Sequence, residues 1–284
     1  MMRSLYSGVS GLRTHQLRMD VIGDNIANVN TVGFKRSTVT FKDVFYQTLR
    51  GGSAGATTAT GLGGTNPQQI GLGVTLNSID VVHTQGAAAS TGNGTDLMIQ
   101  GDGFFIVADA SGNAYLTRSG AFHFDDEGYL VNADGFKVAK EATFDTTNNK
   151  ITVGSYIQID KDAQSYSIDK EGKVSFVKKD GTNVDGTQNQ IKLAKVINPA
   201  GLEKVGSSLY KYTVAAGEAT VEGAGTKDTS LANTSIIPSA LEMSNVDLAQ
   251  EFTDMIITER GFQANARTIT TSDQMLQELV NLKR

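Results

Sequence analysis

The sequence contains no cysteine and no tryptophan, and it has only three prolines among its 284 residues. Without cysteine, disulfides, thiolate nucleophiles and sulfur-rich metal sites are excluded. Basic residues are too few for a nucleic-acid surface, because 25 Lys and Arg stand against 30 Asp and Glu. No apolar run reaches the roughly 18 residues of a membrane-spanning helix. We therefore expect no nucleic-acid partner and no membrane insertion.

The N-terminus lacks the pattern of an ordinary secretion signal. A cleaved signal needs a continuous apolar stretch before a site of small residues. Arg13, His15, Arg18 and Asp20 interrupt any such stretch. If the protein leaves the cell, we expect it to do so without a cleaved signal peptide.

Glycine is abundant, with 31 residues, and four of them end four-residue turns that begin with Asp or Asn. Asp or Asn opens such a turn, and Gly accepts the left-handed conformation at its end. Short apolar pairs flank the turns, which are residues 109–112, 125–128, 132–135 and 169–172. This pattern predicts a hairpin-rich, mostly antiparallel β domain over residues 71–241. Within it, residues 140–190 could form a reduced outer subdomain.

Both ends of the chain carry apolar residues on a seven-residue period, which predicts long helices that pack against other helices. The C-terminal set comprises Leu248, Phe252, Met255, Phe262, Ala266, Ile269, Leu276 and Val280. The N-terminal set comprises Leu5, Val9, Leu12, Met19, Ile22 and Ile26. We expect an α+β protein with paired, coiled-coil-like terminal helices and a central β domain. The predicted helical segments are residues 1–33 and 242–284.

Local signals refine these two helices. Ser4, Gly8 and Gly11 share one face of the first helix, where another backbone could approach closely. Ser244 and Asp247 have the spacing of a capping box, which predicts that Ser244 caps the second helix.

Residues 34–70 are predicted to form an extended connector. No residue between 51 and 79 is charged, and residues 51–65 are Gly, Ala, Thr and Ser with a single Leu. Such a segment has little to bury and can serve as a flexible linker. The alternative is a contact arm that becomes ordered only in an assembly. Beyond it, a change of apolar parity predicts a β-bulge near Ser78.

Candidate chemical sites in the sequence are weak. Residues 125–128 lack the ligand spacing and closing Glu of a calcium loop, and Gly61 to Gly64 lack the Lys of a phosphate loop. The three histidines are widely separated in sequence. We therefore expect no enzyme activity, no metal site and no cofactor.

Several motifs resemble a known family. They are SGVSGL at residues 7–12, DNIANVNTVGFKR at 24–36, GTDLMIQGDGFF at 94–105, SNVDL at 244–248 and RGFQANA at 260–266. These segments resemble the signatures of bacterial flagellar rod and hook axial proteins, with Asp24 where that pattern usually has Asn. The resemblance adds Asn28, Asn30, Gly33 and Phe34 to the expected assembly residues.

The resemblance implies a structural subunit that polymerises with itself into a tube outside the cell, with both terminal helices as its inner layer. It also implies the rod, the hook cap, the hook–filament junction protein and the type III export apparatus as partners. Residues 66–74 and 90–95 look more like the hook subunit, a flexible universal joint that passes motor torque to the filament. The alternatives are a distal rod subunit, which forms a stiff tube, and an unrelated secreted adhesin or binding module.

Overall fold

The computed structural model describes residues 2–54, 63–145, 150–161, 163–184, 186, 189–224 and 231–282. It contains two long helices, α1 (Met2–Ala27) and α2 (Leu248–Leu282). The chain divides into two units. The first unit holds α1, α2 and the strands between residues 37 and 81, and the second holds residues 28–36 and 82–246.

The first unit contains four strands, β1 (Ser37–Asp43), β2 (Tyr46–Arg50), β3 (Gln68–Gly71) and β4 (Val74–Val81). The second unit begins with β5 (Ala88–Ser90), β6 (Leu97–Gln100), β7 (Phe104–Ala108), β8 (Ala114–Thr117), β9 (Phe122–Phe124), β10 (Leu130–Asn132), β11 (Lys137–Asp145) and β12 (Lys150–Tyr156). It continues with β13 (Ala163–Ile168), β14 (Val174–Lys178), β15 (Asn183–Val184), β16 (Lys192–Val196), β17 (Glu203–Gly206), β18 (Leu209–Lys211), β19 (Ala219–Gly223), β20 (Ser235–Pro238) and β21 (Ala240–Glu242).

In the first unit, β1 pairs with β4 and β2 pairs with β3, both antiparallel. Thr40 lies opposite Ser78 and Phe41 opposite Leu76, so Asn77 is the extra residue of a bulge. The bulge predicted near Ser78 is therefore confirmed. Every residue of β2 and β3 is exposed. Residues 55–62, at the centre of the expected arm, lie outside the described residues.

The second helix begins later than the capping-box prediction placed it. Asp247 Oδ1 accepts hydrogen bonds from the N–H groups of Ala249 (2.9 Å) and Gln250 (3.4 Å), which identifies Asp247 as the cap. Ser244 instead accepts a bond from the N–H of Val246. The Ser244 cap prediction was wrong because Asp247 lies directly before the first helical turn and reaches two of its free N–H groups.

The second unit is built from the predicted hairpins. Gly112, Gly128, Gly135 and Gly172 all have φ between 74° and 81°. Each donates its N–H to the carbonyl of the Asp or Asn three residues earlier, at 2.8–3.0 Å. These turns join β7 to β8, β9 to β10, β10 to β11 and β13 to β14 as antiparallel pairs. The α+β class with a mostly antiparallel β domain is confirmed.

The main sheet of this unit has ten strands and runs β17-β18-β8-β7-β11-β10-β9 along its path. The strand β12 joins at β11, while β16 bridges β7 and β19. All five residues of β7 are buried. Phe105 and Val107 pack into one apolar cluster and Phe104 and Ile106 into the other, so β7 separates two layers of core.

His83 lies at the edge of the second cluster, with its ring centroid 5.5 Å from that of Phe104 and 5.4 Å from that of Tyr210. Burial, followed by the positive charge of three nearby basic side chains, lowers the pKa of His83 from 6.5 to about 4. The folded second unit therefore holds this imidazole neutral at a pH where the unfolded chain would protonate it.

We expect the protein to lose stability through His83 as the pH falls from about 6.5 to about 4. In that window the unfolded chain binds a proton that the folded chain does not, which costs up to about 3 kcal/mol of unfolding free energy. In urea denaturation at both pH values, His83→Gln should lose less stability than the wild type. His123→Gln, at an exposed histidine, serves as the control and should follow the wild type. Equal acid losses in all three proteins would contradict the assignment.

Candidate assembly surface

The helices α1 and α2 form an antiparallel pair in the first unit. At one end the hydroxyls of Ser4 and Ser272 are 3.5 Å apart. At the other end Asn25 Nδ2 donates to Glu251 Oε2 at 3.2 Å. The pairing of the two terminal helices therefore occurs within one chain.

The closest contacts between the helices are made at glycines. A Cβ atom at Gly8 would lie 3.0 Å from Thr268 Oγ1, and one at Gly11 would lie 2.7 Å from Asn265 Nδ2. On the other helix, a Cβ at Gly261 would lie 2.6 Å from the His15 ring. Real Cβ atoms do not approach as closely as at Gly11 and Gly261, so a larger residue there would force the side chain of Asn265 or His15 to move. The small-residue face predicted for α1 is the face that contacts α2.

Polar side chains complete the contact. Arg18 and Asp254 form an ion pair of 3.0 Å. Asn25 donates to the carbonyl of Ser37 and accepts from its N–H, each at 2.9 Å, which ties α1 to the start of β1. Glu251 is 3% exposed. The buried residues of this pair are mostly small or polar, unlike those of a leucine-rich coiled coil.

The seven-residue apolar positions are consequently only partly covered within the chain. Ile22 is the member of this set that is buried, at 4% exposure. The half-buried members are Leu5, Leu12, Met19, Ile26, Met255, Ala266, Ile269 and Leu276. The exposed members are Val9, Leu248, Phe252, Phe262 and Val280.

One face of α2 packs against α1, and exposed apolar side chains lie on both sides, or flanks, of that face. One flank carries Leu248, Phe252, Ile256, Phe262 and Val280. The other carries Ile257, Met275, Leu279 and Leu282. The seven-residue pattern missed this second flank and Ile256. A search for apolar residues displaced from that pattern by one or two positions would have found them.

The four residues that the resemblance added lie in the other unit. Gly33 has φ +70°, and a Cβ there would lie 2.5 Å from the backbone nitrogen of Ser119. The Lys204 ammonium lies over the Phe34 ring, 4.6 Å from its centroid. Asn28 is half-buried and Asn30 is exposed. These residues are not part of the helix pair.

Within the described ranges, no group of three or more His, Asp or Glu side chains is arranged to hold a metal ion. None of the described helices combines the length and apolar character needed to cross a membrane.

We expect Gly11→Leu to weaken the helix pair, because the new side chain must displace Asn265. Overpacking of this kind costs about 1–3 kcal/mol. Ser4→Cys with Ser272→Cys supplies the chain's only thiols, so the rate of disulfide formation reports the pairing. Gly11→Leu should slow that rate about 10-fold.

Gly23→Leu is the matched control, because a Cβ at Gly23 meets no atom within 4 Å. It should cross-link as fast as the parent. Equal rates for the two leucine variants would contradict the glycine contact.

Three family models match the chain. The model of the flagellar hook protein FlgE/F/G D1 domain matches residues 98–176. The flagella basal body rod protein model matches residues 5–35, and the flagellar basal body rod FlgEFG protein C-terminal model matches residues 237–282. The matches cover both helices and part of the β unit.

Full-length relatives agree with these matches. The flagellar basal-body rod protein FlgG of Bacillus subtilis is 48% identical over 284 residues, covering 100% of both chains. In Borreliella burgdorferi, FlgG is 36% identical over 286 residues and the flagellar hook protein FlgE is 32% identical over 452 residues, each with 100% of both chains covered. The chain therefore belongs to the family of bacterial flagellar basal-body rod and hook proteins, the structural subunits of the flagellar axis.

Proposed function

We propose that this chain is a subunit of the distal rod, the stiff and straight part of the flagellar axis, which polymerises through its helix pair. The observation that carries this assignment is length. The Bacillus subtilis rod protein aligns over 284 residues, whereas the alignment with the Borreliella burgdorferi hook protein extends over 452 residues. The hook relative therefore has large segments that this chain lacks.

This proposal replaces the hook interpretation of residues 66–74 and 90–95. The comparisons favour the distal rod alternative, since the rod protein of Borreliella burgdorferi is 36% identical and its hook protein 32%. Rod and hook proteins share the terminal and central motifs, so these motifs place the chain in the family but do not separate its branches.

The two apolar flanks of α2 support polymerisation. A helix with one apolar flank needs one neighbour, whereas a helix in a tube wall has neighbours on both sides. Phe252 is 50% exposed and Ile257 is 55% exposed, and they lie on opposite flanks. Full burial of such a side chain is worth about 1.5–3 kcal/mol. In the proposed tube, copies of this chain cover both flanks.

The exposed hairpin of β2 and β3 offers a second contact. Phe45, next to the hairpin, is 85% exposed, and the side chains of Tyr46, Leu49 and Ile70 are also exposed. Exposure of these apolar side chains does not stabilise a lone subunit, whereas their burial against another copy would stabilise the assembly. We propose that β2 and β3 make this contact together with the expected contact arm, the uncharged residues 51–65.

The proposed partners follow from this role. The subunit contacts other copies of itself, other rod proteins below and the hook above, after export through the flagellar type III apparatus. We propose that its position is outside the cytoplasmic membrane, in the flagellar axis. The helical segments at both ends then acquire their full set of neighbours only in the polymer.

The assignment is tested by electron microscopy of polymers assembled from the purified chain. A distal rod subunit should give straight tubes with no preferred curvature at neutral pH. Curved tubes that bend smoothly along their length would overturn the rod proposal in favour of the hook.

We expect Phe262→Asp to prevent polymerisation while leaving the folding of the second unit unchanged. Phe262 is 37% exposed in the lone chain, so the carboxylate is tolerated there. In the tube it would be buried without a partner, at a cost of several kcal/mol per subunit. Sedimentation measures the polymer, and thermal unfolding measures the β unit.

Thr271→Asp is the matched control, because it adds the same charge at an exposed polar position of α2. It should polymerise as the parent does. Polymerisation of Phe262→Asp at the parent's critical concentration would show that this flank has no neighbour.

A further inference from the structure

The turn between β17 and β18 contains two adjacent serines in a left-handed conformation. Three non-glycine residues of the described chain have positive φ, and two of them are Ser207 (50°) and Ser208 (56°). They stand between the paired residues Gly206 and Leu209. A two-residue turn with positive φ at both positions is of type I′, for which Asn and Gly are strongly preferred. Serine at both positions therefore carries backbone strain.

The two serines have different surroundings. Ser207 is exposed, whereas Ser208 is half-buried. The Ser208 hydroxyl donates to the Val32 carbonyl at 3.2 Å, and the Ser208 carbonyl accepts from Thr117 Oγ1 at 2.9 Å. Thr117 is the last residue of β8 and is 1% exposed. Ser208 thus connects a buried strand of the sheet to the segment 28–36, which follows α1.

A second path leads from Thr117 to the same segment. Thr117 Oγ1 also accepts from the Ser119 N–H at 3.0 Å. The Ser119 backbone lies directly against Gly33, where the absence of a side chain permits the close approach. Val32 and Gly33 therefore contact two groups that both hydrogen-bond to Thr117. A linked polar network of this kind makes the backbone at these two residues more rigid.

The hairpin of β17 and β18 also contacts the next two residues of the segment. Lys204, on β17, places its ammonium 4.6 Å from the centroid of the Phe34 ring and donates to the Lys35 carbonyl at 2.8 Å. Both contacts come from an edge strand whose four residues are all exposed. Residues 32, 34 and 35 therefore all contact this hairpin.

Contacts outside the hairpin hold the end of the segment. Lys35 Nζ donates to the Thr84 carbonyl at 2.7 Å and forms a buried ion pair with Glu242 at 2.5 Å. The Arg36 carbonyl accepts from the Val82 N–H at 2.9 Å. These bonds do not involve the turn, so we expect the contribution of the turn to be confined to the earlier residues of the segment.

We propose that Ser208 is a positioning residue whose hydroxyl sets the backbone path of Val32 and Gly33. Glycine in its place would relax the turn but would offer no donor to the Val32 carbonyl. The strained serine is thus explained by this contact and not by the hairpin itself. The proposal also gives a role to Gly33, one of the expected assembly residues that the helix pair does not use. It concerns the unassembled chain and does not rest on the rod assignment.

Ser207→Gly and Ser208→Gly form a matched pair, because each replaces a left-handed serine of the same turn by glycine. Hydrogen exchange of the full-length monomer, resolved at single amides by NMR, distinguishes them. The reporters are the hydrogen-bonded amides of Gly33 and Phe34. In Ser208→Gly, both should exchange about 5-fold faster than in the parent, because one hydrogen bond to this backbone is lost. In Ser207→Gly, both should exchange at the parent's rate.

The amides of Arg36 and of β7 report on the rest of the segment and on the core. They should keep the parent's protection in both variants. Equal exchange of the Gly33 and Phe34 amides in the two variants would overturn the proposal. Loss of protection at Arg36 and β7 in Ser208→Gly would overturn it as well, because the hydroxyl would then support the whole unit and not one segment.

Discussion

The assembly surface depends on how closely the two helices approach each other. Gly8, Gly11 and Gly261 bring the backbones of α1 and α2 together, and polar groups such as Asn25 and Glu251 fill the rest of the contact. If leucines made this contact, the large apolar side chains would be buried between the two helices of one chain. Because glycine makes it instead, those side chains remain on the flanks of α2 and are free to bind neighbours.

Patterns that act over a few residues predicted much of the fold. The four turns that begin with Asp or Asn and end with Gly are found in hairpins. The left-handed glycine and the first side chain of each turn determine the backbone conformation within those four residues. The terminal helices and the small-residue face of α1 followed from periodicity in the same way. The Ser244 cap prediction was wrong because both Ser244 and Asp247 can cap a helix, and the sequence does not show which of them lies directly before its first turn.

Contacts between distant parts of the chain could not be predicted. Lys35 and Glu242 are 207 residues apart, and neither has a neighbour in sequence that indicates a buried ion pair. The apolar period predicted that α2 is an assembly helix, but it did not predict which residues of α2 are covered by α1. The motifs could not separate the hook interpretation from the proposed rod assignment, because rod and hook proteins share them.

The glycine contact also has a thermal consequence. Pairing of α1 with α2 leaves the apolar flanks of α2 in water, so the heat-capacity change of burying these flanks does not accompany it. Addition of a subunit to the proposed tube covers the apolar flanks of α2 and carries most of the negative heat-capacity change. Apolar burial weakens on cooling. Cooling should therefore weaken the proposed interfaces between subunits more than the polar contacts within each helix pair.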